Sequence, residues 1–175
     1  SLGGRRSNKS IDDSSWTTGE NGVGYEVNPG AFSTSVLADS QSEFSTGGQQ
    51  GESGWINGYY NRTADADDTY QATDFQPFPR SDGPFGEDNY WSGSAWDWFN
   101  GNPPWTFVGA SDVHPNGINN AVEHWAIRRW CSTTTGDITL RYQLRKNNGN
   151  NTGVTGKILQ NGEEIFSRTI AGSDT

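Results

Sequence analysis

Apolar and polar residues alternate most regularly between Val122 and Lys146. The second half of this stretch alternates apolar with polar side chains, in the order Ile138, Thr139, Leu140, Arg141, Tyr142, Gln143, Leu144 and Arg145. Because successive side chains of a strand point to opposite faces, this half predicts a strand with one dry face. The first half, residues 121–131, carries apolar bulk on both faces and predicts a central strand of a sheet. We expect the two halves to form an antiparallel pair, joined by the turn-rich residues 132–137.

Two further stretches predict strands. Asn161-Gly162 is a type I′ hairpin signal, because both residues tolerate positive φ and apolar pairs flank them on either side. Residues 54–61 place three aromatic side chains on a strand whose glycines permit close approach of a second backbone. The sequence therefore predicts a hairpin near its end and a tightly packed aromatic strand in its middle.

The remaining residues predict shorter strands and loops. Residues 16–27 and 32–37 are candidate strands. Residues 75–84 are predicted as a loop, because the three prolines in that range lack backbone donors. Residues 1–14 are polar and contain glycine, which is typical of a segment leading into a domain. We expect a leader over residues 1–14 and a single domain over residues 15–175.

Composition narrows the fold class. The 175 residues include 23 Gly, 8 Trp, 8 Phe and 6 Tyr, and only 19% are charged. Aromatic residues favour strands, and no helical periodicity is sustained along the chain. We therefore predict an all-β fold, in the form of an antiparallel β-sandwich with long aromatic-rich loops.

Charge and cysteine content exclude several classes of protein. The formal net charge is −9, and the basic residues are scattered apart from two arginine pairs, so we expect no nucleic-acid partner. No apolar run approaches the ~20 residues that span a bilayer. The single cysteine, Cys131, cannot form an internal disulfide, which favours a cytosolic protein or a secreted bacterial-type domain. We expect Cys131 to be buried and inert.

Five short motifs resemble a recurrent module of large secreted bacterial proteins. They are GWINGYY at 54–60, His114-Pro115, AIRRW at 126–130, GDITL at 136–140 and the Asn161-Gly162 turn. In that family, similar motifs belong to a jelly-roll-like β-sandwich that is similar to carbohydrate-binding modules. The resemblance covers residues 55–170 and implies an extracellular, secreted protein. The chain departs from the family at Asn57, where Tyr is usual, and in ending before the family's closing strands.

Aromatic residues are the candidate ligand-binding side chains. Flat indole faces stack on sugar rings while neighbouring Asp and Asn side chains bond the hydroxyls. The alternative is that such rings fill the core of a sandwich that is poor in leucine. The predicted glycan-binding set is Trp91, Trp96, Trp98, Trp105, Tyr59 and Tyr60. We expect at least two of Trp96, Trp98 and Trp105 to be exposed in one groove.

Two acidic runs are candidate calcium ligands. The first consists of Asp65, Asp67 and Asp68, and the second contains Asp82, Glu87 and Asp88. Closely spaced carboxylates in flexible loops suit Ca²⁺, although neither run has EF-hand spacing and both also fit a solvated acidic loop. Three sequons, at Asn8, Asn61 and Asn150, could carry glycans in a eukaryotic source.

Histidine and arginine residues lead to two smaller expectations. His114 and His124 have no third ligand at a recognisable offset, so their spacing does not support a zinc site, and His114 is expected to bond backbone in a turn. Arg128 and Arg129 alternate across a strand. One of them should therefore point inward and be paired with Glu123 or an acidic loop.

Three functions remain open. The first is a secreted, non-catalytic β-sandwich that binds polysaccharide or another glycan. The second is a structural subunit of an extracellular assembly or filament, completed by a strand from another copy or from a C-terminal companion fragment. The third is a polysaccharide-active enzyme, whose two catalytic carboxylates about 5–10 Å apart no motif singles out. In the second case, an edge strand within residues 55–170 should pair with a segment from outside that range.

Overall fold

The computed structural model describes residues 35–98, 102–147, 149 and 152–174. The chain divides into two units between Ser35 and Val36, and almost all described residues belong to the second unit. The division falls inside the range 15–175 that the sequence predicts as one domain. The expected leader, residues 1–14, and the candidate strand 16–27 lie outside the described residues. Of the candidate strand 32–37, residues 35–37 are described, and they form no strand.

The described residues form an all-β unit, as predicted. Its strands are β1 (Trp55–Asn61), β2 (Gln76–Pro77), β3 (Trp96–Asp97), β4 (Phe107–Val108), β5 (Val113–His114), β6 (His124–Trp130), β7 (Gly153–Gln160) and β8 (Glu163–Ala171). Single 3₁₀ turns occupy Glu52–Gly54, Arg62–Ala64 and Ile118–Asn120. In the part of the chain that is described, no helix has the length and apolar character needed to cross a membrane. The sandwich arrangement stays a prediction.

The central sheet has the order β2-β1-β6 and is antiparallel. The predicted aromatic strand is β1, which pairs along its whole length with β6, from Trp55 opposite Trp130 to Asn61 opposite His124. The predicted loop at 75–84 contributes β2, a two-residue edge strand, which is a position that tolerates proline.

The expectation that residues 121–131 form a central strand is wrong for the described residues. β6 pairs with β1 and lies at the edge of the sheet. Its one further ladder contact with a described residue is a single bridge from His124 to Asn116. Aromatic side chains cover one of its apolar faces. The indole of Trp125 packs against Tyr60 and Tyr70, with ring centroids 5.1 and 5.9 Å away.

The predicted hairpin is confirmed. β7 and β8 pair antiparallel on either side of Asn161-Gly162, whose φ angles of 55° and 90° match a type I′ turn. Lys157 and Glu164 form a salt bridge of 2.6 Å across the hairpin. A register shift at Ile158/Leu159 adds one unpaired residue near the turn.

The predicted pairing of residues 138–145 with residues 121–131 is wrong, because within the described ranges β6 pairs with β1 and not with this segment. Among the described residues, none of residues 137–146 takes part in a β-ladder, and nearly all of them are exposed. The alternation of apolar and polar residues over 138–145 can define two faces of an extended segment. A β-ladder also requires hydrogen bonds to a neighbouring strand. No described strand is hydrogen-bonded to this segment.

Aromatic rings build the core. The buried cluster consists of Tyr59, Phe78, Trp91, Trp96 and Val108. Phe78 stacks on Trp96 at 6.2 Å between centroids, and Trp91 meets Trp96 edge to face at 5.3 Å. Such pairs contribute about 0.5–1.5 kcal/mol beyond their buried area. They join β1, β3 and the loop after β2, which share few backbone hydrogen bonds.

Gly58 is the point where β1 and β2 approach most closely. A Cβ built there would lie 2.1 Å from the carbonyl oxygen of Gln76 and 2.8 Å from the ring of Phe75. Because the first neighbour is backbone, it cannot move without displacing β2. The glycine is therefore required for the sheet to include β2.

We predict that Gly58→Ala lowers the free energy of unfolding by about 1–3 kcal/mol or more, through overpacking. The matched control is Gly47→Ala, where a Cβ meets nothing within 4 Å. Urea unfolding followed by tryptophan fluorescence measures both. Equal stability of the two variants would contradict the described packing of β2 on β1.

Candidate functional site

Four of the six predicted glycan-binding rings are core residues, which corrects the sequence interpretation. Their exposed fractions are 0% for Trp96, 1% for Tyr60, and 7% for both Trp91 and Tyr59. Short strands and an isolated bridge hold them inward, since Trp91 bridges to Trp96 and Trp96 pairs with Val108. A ring packed on both faces cannot stack on a sugar.

The two remaining rings differ from each other. Trp98 is partly buried, with its ring edge to face against Tyr59 at 4.5 Å and against His124 at 4.9 Å. Trp105 is 40% exposed. The expectation of two exposed rings in one groove is therefore wrong, because Trp105 alone among these six residues is exposed.

Asn116 holds Trp105 in place. This amide is 1% exposed. Its Oδ1 accepts hydrogen bonds from the backbone N–H of Trp105 at 2.9 Å and from Nδ2 of Asn120 at 3.2 Å, and its Nδ2 donates to the carbonyl of Val122. A buried amide satisfied on both ends rigidly joins two loops. One of these loops carries Trp105.

Backbone hydrogen bonds hold both Asn116 and the residue after Trp105. Asn116 exchanges two backbone hydrogen bonds with His124, of 3.0 and 2.9 Å. The carbonyl of Thr106 accepts from the N–H of Trp98 at 2.8 Å. The exposed ring therefore stands on a loop that is anchored to β6. Sequence reasoning missed Asn116, because its partners lie 11 and 6 positions away and no spacing rule links them.

A buried polar pair lies beneath this loop. Thr106, fully buried, forms a 2.9 Å hydrogen bond between its Oγ1 and Nδ1 of His124, which is 1% exposed. Burial lowers the pKa of His124 to about 4, so the ring is neutral at pH 7. No described residue bonds its Nε2. His124 therefore acts as a core residue, whereas His114 is exposed.

The carboxylates of the first acidic run, Asp65, Asp67 and Asp68, all bond to other groups of the same chain. Asp65 accepts a 2.6 Å hydrogen bond from the hydroxyl of Tyr60, and that bond holds the pKa of its carboxyl below the ordinary value. Asp68 pairs with Arg62 at 2.5 Å, and Asp67 accepts from the backbone N–H of Thr69 at 3.0 Å. These three carboxylates thus order their own loop.

The second acidic run is exposed, with Asp82, Glu87 and Asp88 at the surface. Within the described ranges, no three His, Cys, Asp or Glu side chains are grouped closely enough to hold a metal ion. Calcium binding stays a prediction.

Arg128 points inward as expected for one of the pair, but its partners differ from the prediction. Its guanidinium donates to the backbone carbonyls of Gly109 and Asp112, and burial lowers its pKa. Glu123, the expected partner, instead forms a 3.0 Å salt bridge with Arg62. Carbonyl oxygens of the turn between β4 and β5 are thus the hydrogen-bond partners of this cation.

The structure places Cys131 and the sequon at Asn61. Cys131 is exposed, contrary to the expectation of burial, because β6 ends at Trp130 and the next residues turn outward. The amide of Asn61 accepts from the backbone N–H of Ala64 at 3.1 Å and is partly buried. This sequon is therefore tied into a 3₁₀ turn. Asn8 and Asn150 lie outside the described residues.

Comparisons of the chain with protein-family models, with curated proteins and with solved structures found no match. The resemblance to secreted bacterial modules therefore stays a prediction.

We predict that His124 makes stability depend on pH. Its pKa is lowered from 6.5 to about 4 by folding, so the unfolded state binds the proton first. Stability is then full above about pH 6.5 and declines as the pH falls toward 4, by up to about 3 kcal/mol. Urea unfolding at several pH values measures it.

The matched variants are His124→Gln and His114→Gln. The first removes the decline between pH 6.5 and 4, and the second leaves it unchanged because His114 is exposed. Parallel pH profiles for wild type and His124→Gln would show that another group causes the decline.

Calcium binding is checked by melting temperature in millimolar Ca²⁺ and in excess chelator. A site saturated at 100 times its dissociation constant adds about 2.7 kcal/mol and raises the melting temperature. An identical melting temperature in both solutions would rule out a calcium site in either acidic run.

Proposed function

We propose that the protein is a secreted, non-catalytic β-domain that binds glycan through Trp105. The observation that carries this proposal is a 40% exposed indole on a loop anchored by a buried amide. Tryptophan side chains are highly buried on average in folded proteins. Here the hydrogen bond to Asn116 keeps the backbone of Trp105 in place, so the ring is preorganised for a ligand.

The chemistry of the loop suits a sugar. The apolar face of a pyranose ring can lie on the indole, and polar side chains at the rim can bond its hydroxyls. Asn102 and Asn119 are exposed in the two loops that Asn116 joins. Because a single ring offers a small contact, we expect a dissociation constant of about 0.1–1 mM for a short oligosaccharide. Polysaccharides with repeated units would bind more tightly through multivalency only if several copies are presented together.

The carboxylates favour binding over hydrolysis. A glycosidase needs a general acid whose pKa is raised toward neutral pH. The two described carboxyls with a shifted pKa, Asp39 and Asp65, are both shifted downward, by hydrogen bonds from a backbone N–H and from the Tyr60 hydroxyl respectively. Each therefore holds its negative charge more firmly and is unsuited to donate a proton.

The experiment is affinity electrophoresis on a panel of soluble polysaccharides, followed by calorimetry with oligosaccharides of any that retard the protein. We predict that Trp105→Ala lowers the affinity at least tenfold, while its urea unfolding curve shows that the variant is still folded in the binding assay, because the ring lies outside the buried aromatic cluster. The matched control is Tyr142→Ala, which removes an equally exposed ring, 39% against 40%, from another surface.

Loss of binding in Trp105→Ala with binding kept in Tyr142→Ala supports the proposal. Failure of wild type to bind any polysaccharide in a panel covering neutral, acidic and amino sugars would overturn it. So would a Trp105→Ala protein that binds as wild type does.

A further inference from the structure

The chain that precedes β7 packs on one face of the β7–β8 hairpin. A Cβ built at Gly156 would lie 2.6 Å from Cδ2 of Leu144, so the leucine side chain occupies the space that this glycine leaves open. Nζ of Lys146 donates to the carbonyls of Ala171 and Gly172, at the end of β8. Side-chain contacts therefore fix this part of the chain against the hairpin.

A cavity of about 200 Å³ remains between these residues and β8. It is smaller than the roughly 300–1,000 Å³ of pockets that hold drug-sized ligands, so it suits a single small unit. The cavity is lined by Leu144, Arg145, Arg168, Thr169, Ile170 and Asp174.

The register of the hairpin places no acidic side chain directly opposite Arg168. Its cross-strand partner is Gly156, and opposite residues of an antiparallel pair share a face. The glycine has no side chain to bond the guanidinium, and the neighbour that fills its space is the apolar Leu144. By contrast, Lys157 of the same hairpin forms a 2.6 Å salt bridge with Glu164. Arg168 is therefore placed to bond a ligand.

Arg145 brings a second guanidinium to the same cavity. Both arginines are exposed, and neither forms a hydrogen bond or salt bridge with another described residue. A guanidinium presents a planar fork of N–H donors that matches the two oxygens of a carboxylate, and such charge-assisted bonds are short and strong. Two of these groups at one cavity indicate an anionic ligand.

The local balance of charge also favours an anion. Residues 138–175 carry five basic and three acidic side chains, whereas the whole chain carries 12 basic and 21 acidic ones. At physiological ionic strength the screening length is about 8 Å. Charges close to the cavity therefore affect a bound anion more than the net charge of −9 does.

The remaining lining residues narrow the choice of anion. The carboxylate of Asp174 lies at the same cavity and repels a bare anion, but it accepts hydrogen bonds from hydroxyl groups. Leu144 and Ile170 add an apolar wall, on which the C–H face of a sugar ring can lie. The ligand that matches all of these groups has a carboxylate, several hydroxyls and an apolar ring face.

We propose that this cavity binds a uronic acid residue of an acidic polysaccharide. The guanidinium groups of Arg145 and Arg168 hold the carboxylate, and Asp174 accepts from the ring hydroxyls. The site rests on the proposed function for the class of ligand, a glycan, and uses none of the contacts of Trp105. Because one sugar unit makes a small contact, we expect a dissociation constant of about 1 mM for the monosaccharide.

NMR of arginine side chains tests the site with defined probes. In protein labelled with ¹⁵N, the Nε–Hε resonances of Arg145 and Arg168 are assigned by single substitutions. Titration with galacturonic acid should shift both resonances with the same dissociation constant. Galactose differs from it by lacking the carboxylate, and at equal concentration it should shift neither.

Variants separate the bidentate contact from a general effect of charge. Arg168→Gln should weaken galacturonic acid binding at least tenfold, read from the Arg145 resonance, because charge-assisted hydrogen bonds are lost. Arg168→Lys keeps the charge without the planar fork and should bind with intermediate affinity. The matched control Arg80→Gln removes an exposed arginine that does not line the cavity and should bind as wild type does.

Four results would overturn the proposal. The first is the absence of a shift at both arginines with galacturonic acid at ten times the expected dissociation constant. The second is an equal response to galactose, and the third is unchanged affinity in Arg168→Gln. The fourth is equally tight binding of inorganic sulfate, which would show that the cavity recognises charge and no sugar ring.

The two sites fail independently. Binding of neutral polysaccharides tests Trp105 and does not involve the two arginines. If Trp105→Ala leaves that binding unchanged, the proposed function fails, while the arginine shifts still report on the cavity. If the shifts are absent, only the uronic acid site fails.

Discussion

The packing of aromatic rings is the interaction on which the rest of this structure depends. Only 30% of the chain is hydrophobic, and nearly half of that share is Phe, Trp and Tyr. Several of the strands that these rings connect have two residues each, too few for a ladder to hold them alone. Phe78, Trp91 and Trp96 instead lock them together through stacked and edge-to-face contacts. The same packing leaves Trp105 outside, on a loop that hydrogen bonds fix.

Buried polar groups then decide how the surface is arranged. Beneath the loop, Asn116 accepts from the backbone N–H of Trp105 and Thr106 bonds His124, so Trp105 is presented on a rigid support. Arg128 plays a similar role between residues 109–112 and β6, because its guanidinium donates to the carbonyls of Gly109 and Asp112. The acidic run at 65–68 is likewise turned toward Tyr60 and Arg62. Polar side chains thus shape the loops that short strands leave unsupported.

The sequence predicted the elements whose conformation depends on neighbouring residues in the chain, such as the Asn161-Gly162 hairpin. The Asn161-Gly162 turn fixes its own hairpin, because its backbone conformation requires residues that accept positive φ. The strands β1 and β6 were identifiable from their aromatic and apolar faces. Segment 138–146 shows the limit of such signals, since alternation defines a dry face but not a neighbour. The burial of Trp96 and the role of Asn116 depend on contacts between distant residues, which no spacing along the chain encodes.

The central claim is that Trp105 alone among the loop tryptophans meets both solvent and glycan, while Trp91 and Trp96 belong to the core. Fluorine NMR of protein labelled with fluorotryptophan tests it most directly, with resonances assigned by single substitutions. The account predicts that a soluble paramagnetic agent broadens the Trp105 resonance strongly and that added glycan shifts it. The resonances of Trp91 and Trp96 should respond to neither. Broadening of Trp96, or a glycan-induced shift at Trp91 or Trp96 with Trp105 unmoved, would contradict the account.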